Sequence, residues 1–399
     1  MDKFFRLLLV AGLVVILALG AFAGGIIFDR LSARVDGLTS DTTPGQAIGD
    51  TVSEVEELLL DRALKPPTET SATAGAIQGL LDSTGDKYAS YFDPRHFKYF
   101  NEQSAGEFGG IGVTIGEKDG QAYVVTVMPN TPAAKAGMKA NDVFVAVDEV
   151  KRDKWTSEEI VKRVRGEAGT KVKVVMKRGE ELKTFDLTRA KIEVPNIDSR
   201  MLREGIGYLR LYSFNQRSAD DMRKAIENLE KKGAKAFVID VRDNPGGLLD
   251  QSVDIASLFI ENGVIVRVDE RGQPEKSSRA TGKVATKAPI ALLVNGNSAS
   301  ASEILAGALQ DYDRATLVGE KTFGKGSVQT VEKLSSGGGV KFTIAHYLTP
   351  KKRVIDGKGV TPEYVVKMKP ELQYDAEFQK NQTKDTQLQK AIKVLQSEL

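Results

Sequence analysis

Pro289-Ile-Ala-Leu-Leu-Val294-Asn-Gly-Asn-Ser298-Ala-Ser300-Ala-Ser302-Glu303-Ile-Leu-Ala-Gly-Ala-Leu-Gln310 holds the fold in miniature. The opening apolar run has the texture of a strand covered on both faces. From Ala301 onward the residues read as a helix, and the small polar residues between form a strand-to-helix junction. A serine there can present its hydroxyl at the helix N-terminus, where free N–H groups and the dipole favour negative charge. Ser300-x-x-Glu303 is also a legal capping box. On this segment alone, cap and nucleophile stay equally open.

Upstream, Ala236-Phe-Val-Ile-Asp240 is a second buried run, and it leads into Val-Arg-Asp-Asn244-Pro245-Gly246-Gly247. Proline fixes one torsion and glycine permits torsions that turn backbone N–H groups outward, so this turn could receive an oxyanion. Taken alone, an ordinary turn is the simpler reading. Helical patterns at 219–231, 249–261 and 301–310 alternate with these runs and predict an α/β domain starting near Gly205. Downstream, 328–334 and 340–348 flank Ser335-Ser-Gly-Gly-Gly339 and predict a hairpin.

Between the two lies Gly319-Glu-Lys321-Thr-Phe-Gly324-Lys325-Gly326-Ser-Val-Gln329, a near miss to the phosphate-binding G-x-x-x-x-G-K-[ST] loop. Gly326 stands where a hydroxyl should reach magnesium, and the residues that follow are strand-like, not helical. A nucleotide site is rejected. Lys325 then suits another task, since an unprotonated lysine can activate a serine where histidine is scarce. Its amine would need a dry pocket to lose its proton near neutrality. Gln329, four residues on along a predicted strand, would project to the same face and could orient it.

The 399-residue chain carries 56 basic and 54 acidic residues, so no global field gathers nucleic acid. It lacks cysteine and has two histidines, His96 and His346, which excludes thiol nucleophiles and speaks against metal centres; no metal or cofactor is expected. Leu7 to Phe28 is an uncharged run of 22 residues behind Lys3 and Arg6. It reads as an uncleaved membrane anchor, with a signal peptide cleaved after Ala21-Phe-Ala23 as the competing reading. Either exports the body. The expected divisions are 1–30 leader, 31–105 tether and helical region, 106–190 a small mostly-β module, 191–369 the α/β core, and 370–399 a polar helical tail. In that tail Leu388, Ala391, Ile392, Leu395 and Leu399 share one helical face, to be packed on the chain's own body or on another copy.

In order and spacing, Ser-Ala-Ser-Ala-Ser-Glu followed by Phe-Gly-Lys-Gly-Ser-Val-Gln resembles the carboxyl-terminal processing, or tail-specific, proteases. The similarity runs from Gly85-Asp-Lys-Tyr-Ala-Ser-Tyr-Phe-Asp93 to Gly359-Val-Thr-Pro362. It implies a crotonase/ClpP-like α/β protease core of βαβ elements plus a β hairpin, with an inserted PDZ domain and helical terminal segments. It also implies Ser300 as nucleophile, Lys325 as general base and Gln329 as its partner, with Ser298 and Ser302 structural. Backbone N–H groups of Ala301 and of the Pro-Gly-Gly turn, taken as Gly246 though either glycine qualifies, would form the oxyanion hole. Gly109, Gly110, Ile111, Gly112 and Val113 would bind a terminal carboxylate, and Arg165 would couple the PDZ domain to the protease. Asp243 departs from the uncharged residue common before the asparagine. The implied protein is an exported endopeptidase on the periplasmic side of the inner membrane, acting on proteins with apolar C-terminal tails. A homo-oligomer and an adaptor protein are expected partners. A PDZ adaptor that binds tails without cutting is the alternative.

Overall fold

The computed structural model describes residues 45–368 and 384–399. The expected leader, residues 31–44 of the tether and residues 369–383 lie outside the described residues. Among those described, no helix is long and apolar enough to cross a membrane. The chain divides into two compact units, Met1–Leu80 and Leu81–Leu399. In the first, helix α1 (Gln46–Arg62) buries none of its residues, and its stripe of Val52, Val55, Leu58 and Leu59 is exposed. Helix α2 (Glu69–Asp82) begins five residues before the expected 74–81.

The second unit opens with strand β1 (Ser90–Phe92) and helix α3 (Pro94–Ala105), whose N-cap Asp93 accepts the His96 N–H at 2.8 Å. Strand β2 (Glu107–Gly110) then enters an inserted module, and β9 (Ala190–Glu193) leaves it; the two pair antiparallel, so entry and exit lie side by side. Inside are β3 (Val113–Lys118), β4 (Gln121–Val127), β5 (Val143–Val147), β7 (Lys171–Arg178) and β8 (Glu181–Thr188), ordered β3-β4-β5-β7-β8, with β6 (Val150–Lys151) on β5. A short helix α4 (Pro132–Lys135) and helix α5 (Ser157–Val164) close a core built on Trp155, Phe144, Ile160 and Met176. A capping box between Thr156 and Glu159 starts α5.

The chemistry-bearing body is a six-stranded sheet ordered β10 (Ile197–Met201), β11 (Ile206–Leu211), β12 (Ala236–Asp240), β15 (Ile290–Val294), β16 (Thr316–Gly319), β19 (Tyr364–Val365). From β11 onward neighbours are parallel, as in Phe237↔Ile290. The α/β alternation read from the sequence produces this: helices α6 (Ser218–Lys231), α7 (Leu249–Ser257) and α8 (Ala301–Asp311) bury their apolar faces in one large core. A second sheet sets β13 (Val264–Glu270) between β14 (Lys276–Arg279) and β18 (Gly339–Leu348). The predicted hairpin partner β17 (Ser327–Lys333) and β1 both pair with β18.

The opposite face of the main sheet is covered by the C-terminal helix α9 (Thr386–Glu398). Its Leu388, Ala391, Ile392 and Leu395 pack with Ile206, Tyr208, Val238, Ala291, Leu293 and Val318, so four of the five stripe residues are covered by the chain's own body, while Leu399 is exposed. A buried charge chain fixes the helix in register. The Arg242 guanidinium donates to Asp240 Oδ2 at 2.6 Å, Asp385 Oδ2 at 2.8 Å and Gln387 Oε1 at 3.0 Å. Burial alone would raise the Asp240 pKa, but Arg242 outweighs it and holds the carboxyl below its usual range. Removing one partner of such a chain strands the others without charge compensation. Arg242→Ala should cost about 3–5 kcal/mol in urea unfolding. Because the Asp240 pKa is depressed, its contribution is present above the unfolded value of about 3.9 and is lost as pH falls through the folded value.

Candidate active site

At the end of β15 the chain crosses residues 295–300 and enters α8 at Ala301. The three serines of this junction have different fates. Ser298 Oγ donates to the Val241 carbonyl at 2.7 Å and Ser302 Oγ to the Asn244 carbonyl at 3.0 Å, so both are buried and tie the junction to the turn after β12. Ser300 is half-buried at the N-cap of α8, with φ 54° and ψ −114°. Positive φ is costly for a side chain with a Cβ and persists only where the surroundings enforce it. Its hydroxyl proton is committed to no acceptor among the described residues.

The enforcement comes from Glu303, fully buried one turn into α8. Its Oε2 accepts the Ser300 N–H at 3.0 Å and the Lys325 N–H at 2.8 Å. Its Oε1 accepts the Gly324 N–H at 2.7 Å and the Thr322 hydroxyl at 2.5 Å. Burial pushes its pKa up, and the four donors pull it back only in part. One carboxylate thus joins two segments 25 residues apart. The buried Tyr347 hydroxyl adds a second tie, lying against the carbonyls of both Ser300 (3.0 Å) and Lys325. Gly326 fits because a Cβ there would stand 2.3 Å from the Asp356 backbone N. The strand β17, not a helix, follows this loop, in keeping with the rejection of a nucleotide site.

Lys325 is half-buried, and its Nζ lies 4.7 Å from the centroid of the Tyr88 ring. Burial and the nearby Lys341 lower its pKa, while Asp86 and Glu303 oppose them more weakly. Among the described residues no hydrogen bond joins Lys325 Nζ to Ser300 Oγ or to Gln329. The Gln329 amide instead donates to Ser327 Oγ at 2.7 Å and lies 3.4 Å from Thr343 Oγ1. The same-face argument assumed regular pleating from Lys325 on; β17 begins only at Ser327, and its register shifts between Val328 and Gln329.

The Pro-Gly-Gly turn lies against this cluster: a Cβ on Gly246 would stand 2.9 Å from both Ala301 N and Ser300 Cβ. The Gly246 N–H is occupied, donating to Asn244 Oδ1 at 2.9 Å. Gly247, with φ 146°, and Ala301 donate their N–H groups to no partner among the described residues. Asp243, the departure noted in the sequence, accepts from the side chains of Asn295 at 2.8 Å and Asn297 at 2.9 Å and so braces the junction.

The comparisons with known proteins give the family. The model of Peptidase family S41 matches residues 205–366 and that of the PDZ domain matches 109–188. A carboxy-terminal-processing protease of Bartonella bacilliformis is 39% identical over 309 residues, 75% of this chain and 70% of that protein. The chain belongs to peptidase family S41. Carboxy-terminal processing protease CtpA of Bacillus subtilis is 37% identical over 291 residues, 72% of this chain. A probable CtpA-like serine protease of Staphylococcus saprophyticus is 36% identical over 315 residues, 78% of this chain. The chain spans 62% and 64% of those two proteins' lengths. A solved photosystem II D1 C-terminal processing protease covers 79% of this chain at 30% identity, with a TM-score of 0.47.

In the PDZ domain of this S41 chain, β3 is an edge strand facing α5, with Val113 and Ile115 half-buried against the core and Ile111 buried within it. The Ile111 and Gly112 carbonyls accept from Ala133 and Met128, whereas their own N–H groups have no partner among the described residues. Gly110 is buried in β2. Gly109 is held by the Gly166 N–H at 3.1 Å on its carbonyl. Next to Gly166, Arg165 stacks 4.3 Å from the Phe108 ring centroid and approaches Glu102 of α3 at 3.4 Å. Glu303 was legible as a cap and as part of the serine motif, Tyr88 lay in the upstream stretch that carries the resemblance but had no role assigned, and Tyr347 carried no local signal. Glu303→Gln replaces two acceptor oxygens by one. It should lower stability by about 1–3 kcal/mol and turnover on the order of 10²-fold, through misplacement of Ser300 and Lys325. Urea unfolding and steady-state kinetics measure the two.

Proposed function

We propose that this S41 chain is an exported serine endopeptidase that engages proteins by their C-terminal tails and cuts them with Ser300 and Lys325. The observation that supports this best is the single Glu303 carboxylate holding the N–H groups of both residues, beside a serine hydroxyl with no acceptor among the described residues. In the reaction the Lys325 amine, brought within reach of Ser300 Oγ, takes its proton as the oxygen attacks the peptide carbonyl. The Gly247 and Ala301 N–H groups receive the resulting oxyanion. Gly247 is favoured over Gly246, whose N–H is already spent on Asn244. The Lys325 ammonium protonates the leaving amine, and water then hydrolyses the acyl-enzyme with Lys325 again as base. Gln329, whose amide nitrogen donates to Ser327, would orient the amine through its amide oxygen.

The tail would add to the free edge of β3, with its carboxylate on the Ile111 and Gly112 N–H groups and its apolar side chain towards Val113 and Ile115. Arg165, stacked between the PDZ domain and α3, would report occupancy. Export rests on the uncharged run behind Lys3 and Arg6, and would put the body on the periplasmic side of the inner membrane.

The test is cleavage of a protein with an apolar tail by the full chain. Ser300→Ala and Lys325→Arg should each abolish turnover, since guanidinium essentially never deprotonates, while Ser302→Ala retains it. Activity in Ser300→Ala with loss in Ser302→Ala would overturn the assignment. The neutral amine is the base, so kcat/KM should rise with pH through the Lys325 pKa. That acid limb should lie below the ordinary lysine value of about 10.4.

A further inference from the structure

The Lys325 amine, which the proposed reaction needs beside Ser300, rests against an aromatic ring. Its Nζ lies over the Tyr88 ring, 4.7 Å from the centroid, and makes no hydrogen bond to Ser300 Oγ. Tyr88 comes from a segment far upstream of the 205–366 match, yet it is firmly placed. Asp86 Oδ1 accepts the Tyr88 N–H at 2.9 Å, and Asp86 Oδ2 accepts the Thr343 N–H at 2.7 Å. Immediately after, β1 pairs with β18 through Ser90↔Lys341 and Tyr91↔Val340. The turn therefore rides on the same strand that carries the Gln329 contact, Thr343.

An aromatic face attracts an ammonium and offers far less to a neutral amine. The charged groups around Lys325 are Asp86 on the Tyr88 turn, Glu303 on α8 and Lys341 on β18; Lys87 Nζ shares the ring at 4.9 Å. The ring thus opposes the proton loss that burial and Lys341 promote. We propose that Tyr88 is a positioning residue that holds the Lys325 ammonium away from Ser300 in the free enzyme, and that a substrate chain entering the cleft releases the amine to the serine. This rests on the Ser300–Lys325 reading of the reaction.

The experiment is the pH dependence of kcat/KM and of kcat for the full chain on an apolar-tailed substrate, for wild type, Tyr88→Phe and Tyr88→Leu. The first parameter reports the free enzyme and the second the substrate complex. Tyr88→Leu should move the acid limb of kcat/KM down by about half to one pH unit and leave that of kcat in place. Tyr88→Phe, which keeps the ring, should overlay wild type. Limbs that stay put in Tyr88→Leu, limbs of both parameters that move together, or a Tyr88→Phe shift as large as that of Leu would each overturn the proposal.

A measurement that reads the wild-type protein, with Lys325→Arg used only for assignment, avoids a folding defect in the Tyr88 variants. With lysine selectively labelled, the Lys325 side-chain NMR signals, assigned by their loss in Lys325→Arg, should be ring-current shifted. They should return towards ordinary positions when an apolar-tailed peptide is added. Unshifted signals in the free enzyme, or a shift that persists with peptide bound, would overturn it. Lys325→Arg in the kinetic series separates the two levels: full activity there removes the Ser300–Lys325 reading itself. Loss there, with an unchanged Tyr88→Leu profile, removes only the role of Tyr88.

Discussion

A single carboxylate, Glu303, sets the geometry around Ser300 and Lys325. Isolating a charge from water is costly unless donors replace the lost hydration. Four donors do so here, and they come from both segments that the proposed reaction would join. Satisfying Glu303 and bringing Ser300 beside the Lys325 backbone are therefore the same event. The unfavourable φ of Ser300 is tolerated within that arrangement, where its N–H is anchored and its hydroxyl is left over.

Much of this was legible because the participating residues lie on short local patterns. The buried runs at 236–240 and 289–294, the glycines around Lys325 and the triple serine each name their own environment. The structure sets both strands side by side in parallel register. Other features escaped for physical reasons. Strand β11 is interrupted in apolarity by Gly207 and Arg210, so its alternation is weak although it is central to the sheet. Strands β7 and β8 run past their β-branched cores because charged ends such as Lys171, Arg178 and Glu181 still pair. Tyr88 and Tyr347 reach the site across long sequence separations, and Gln329 is turned by a register shift that no residue type announces.

The PDZ domain and the Pro-Gly-Gly turn are connected by a series of backbone hydrogen bonds and one side-chain ion pair. Gly166 N–H holds the Gly109 carbonyl, and Arg165 reaches Glu102 on α3. At the end of α3, Ser104 accepts the Gln216 N–H. Two residues earlier, Phe214 donates to Gly246 and accepts from Leu248, forming a bridge with Gly247. A displacement of the 109–113 segment therefore has a solid route to the turn that faces Ser300. Contiguity of this kind is a means of transmission, and energetic coupling along it would be a separate fact.

The C-terminal helix gives the domain boundaries a practical meaning. The stretch 205–366 supplies Ser300 and Lys325 but not the surface that keeps its own sheet dry. Ile206, Tyr208, Val238, Ala291, Leu293 and Val318 are shielded by a helix at 386–398, and the free edge of β18 is completed by residues 90–92. A fragment trimmed to the family match would expose a greasy plane and a bare strand side by side, both invitations to clumping. Anyone excising a minimal protease from this chain should carry both distant ends along.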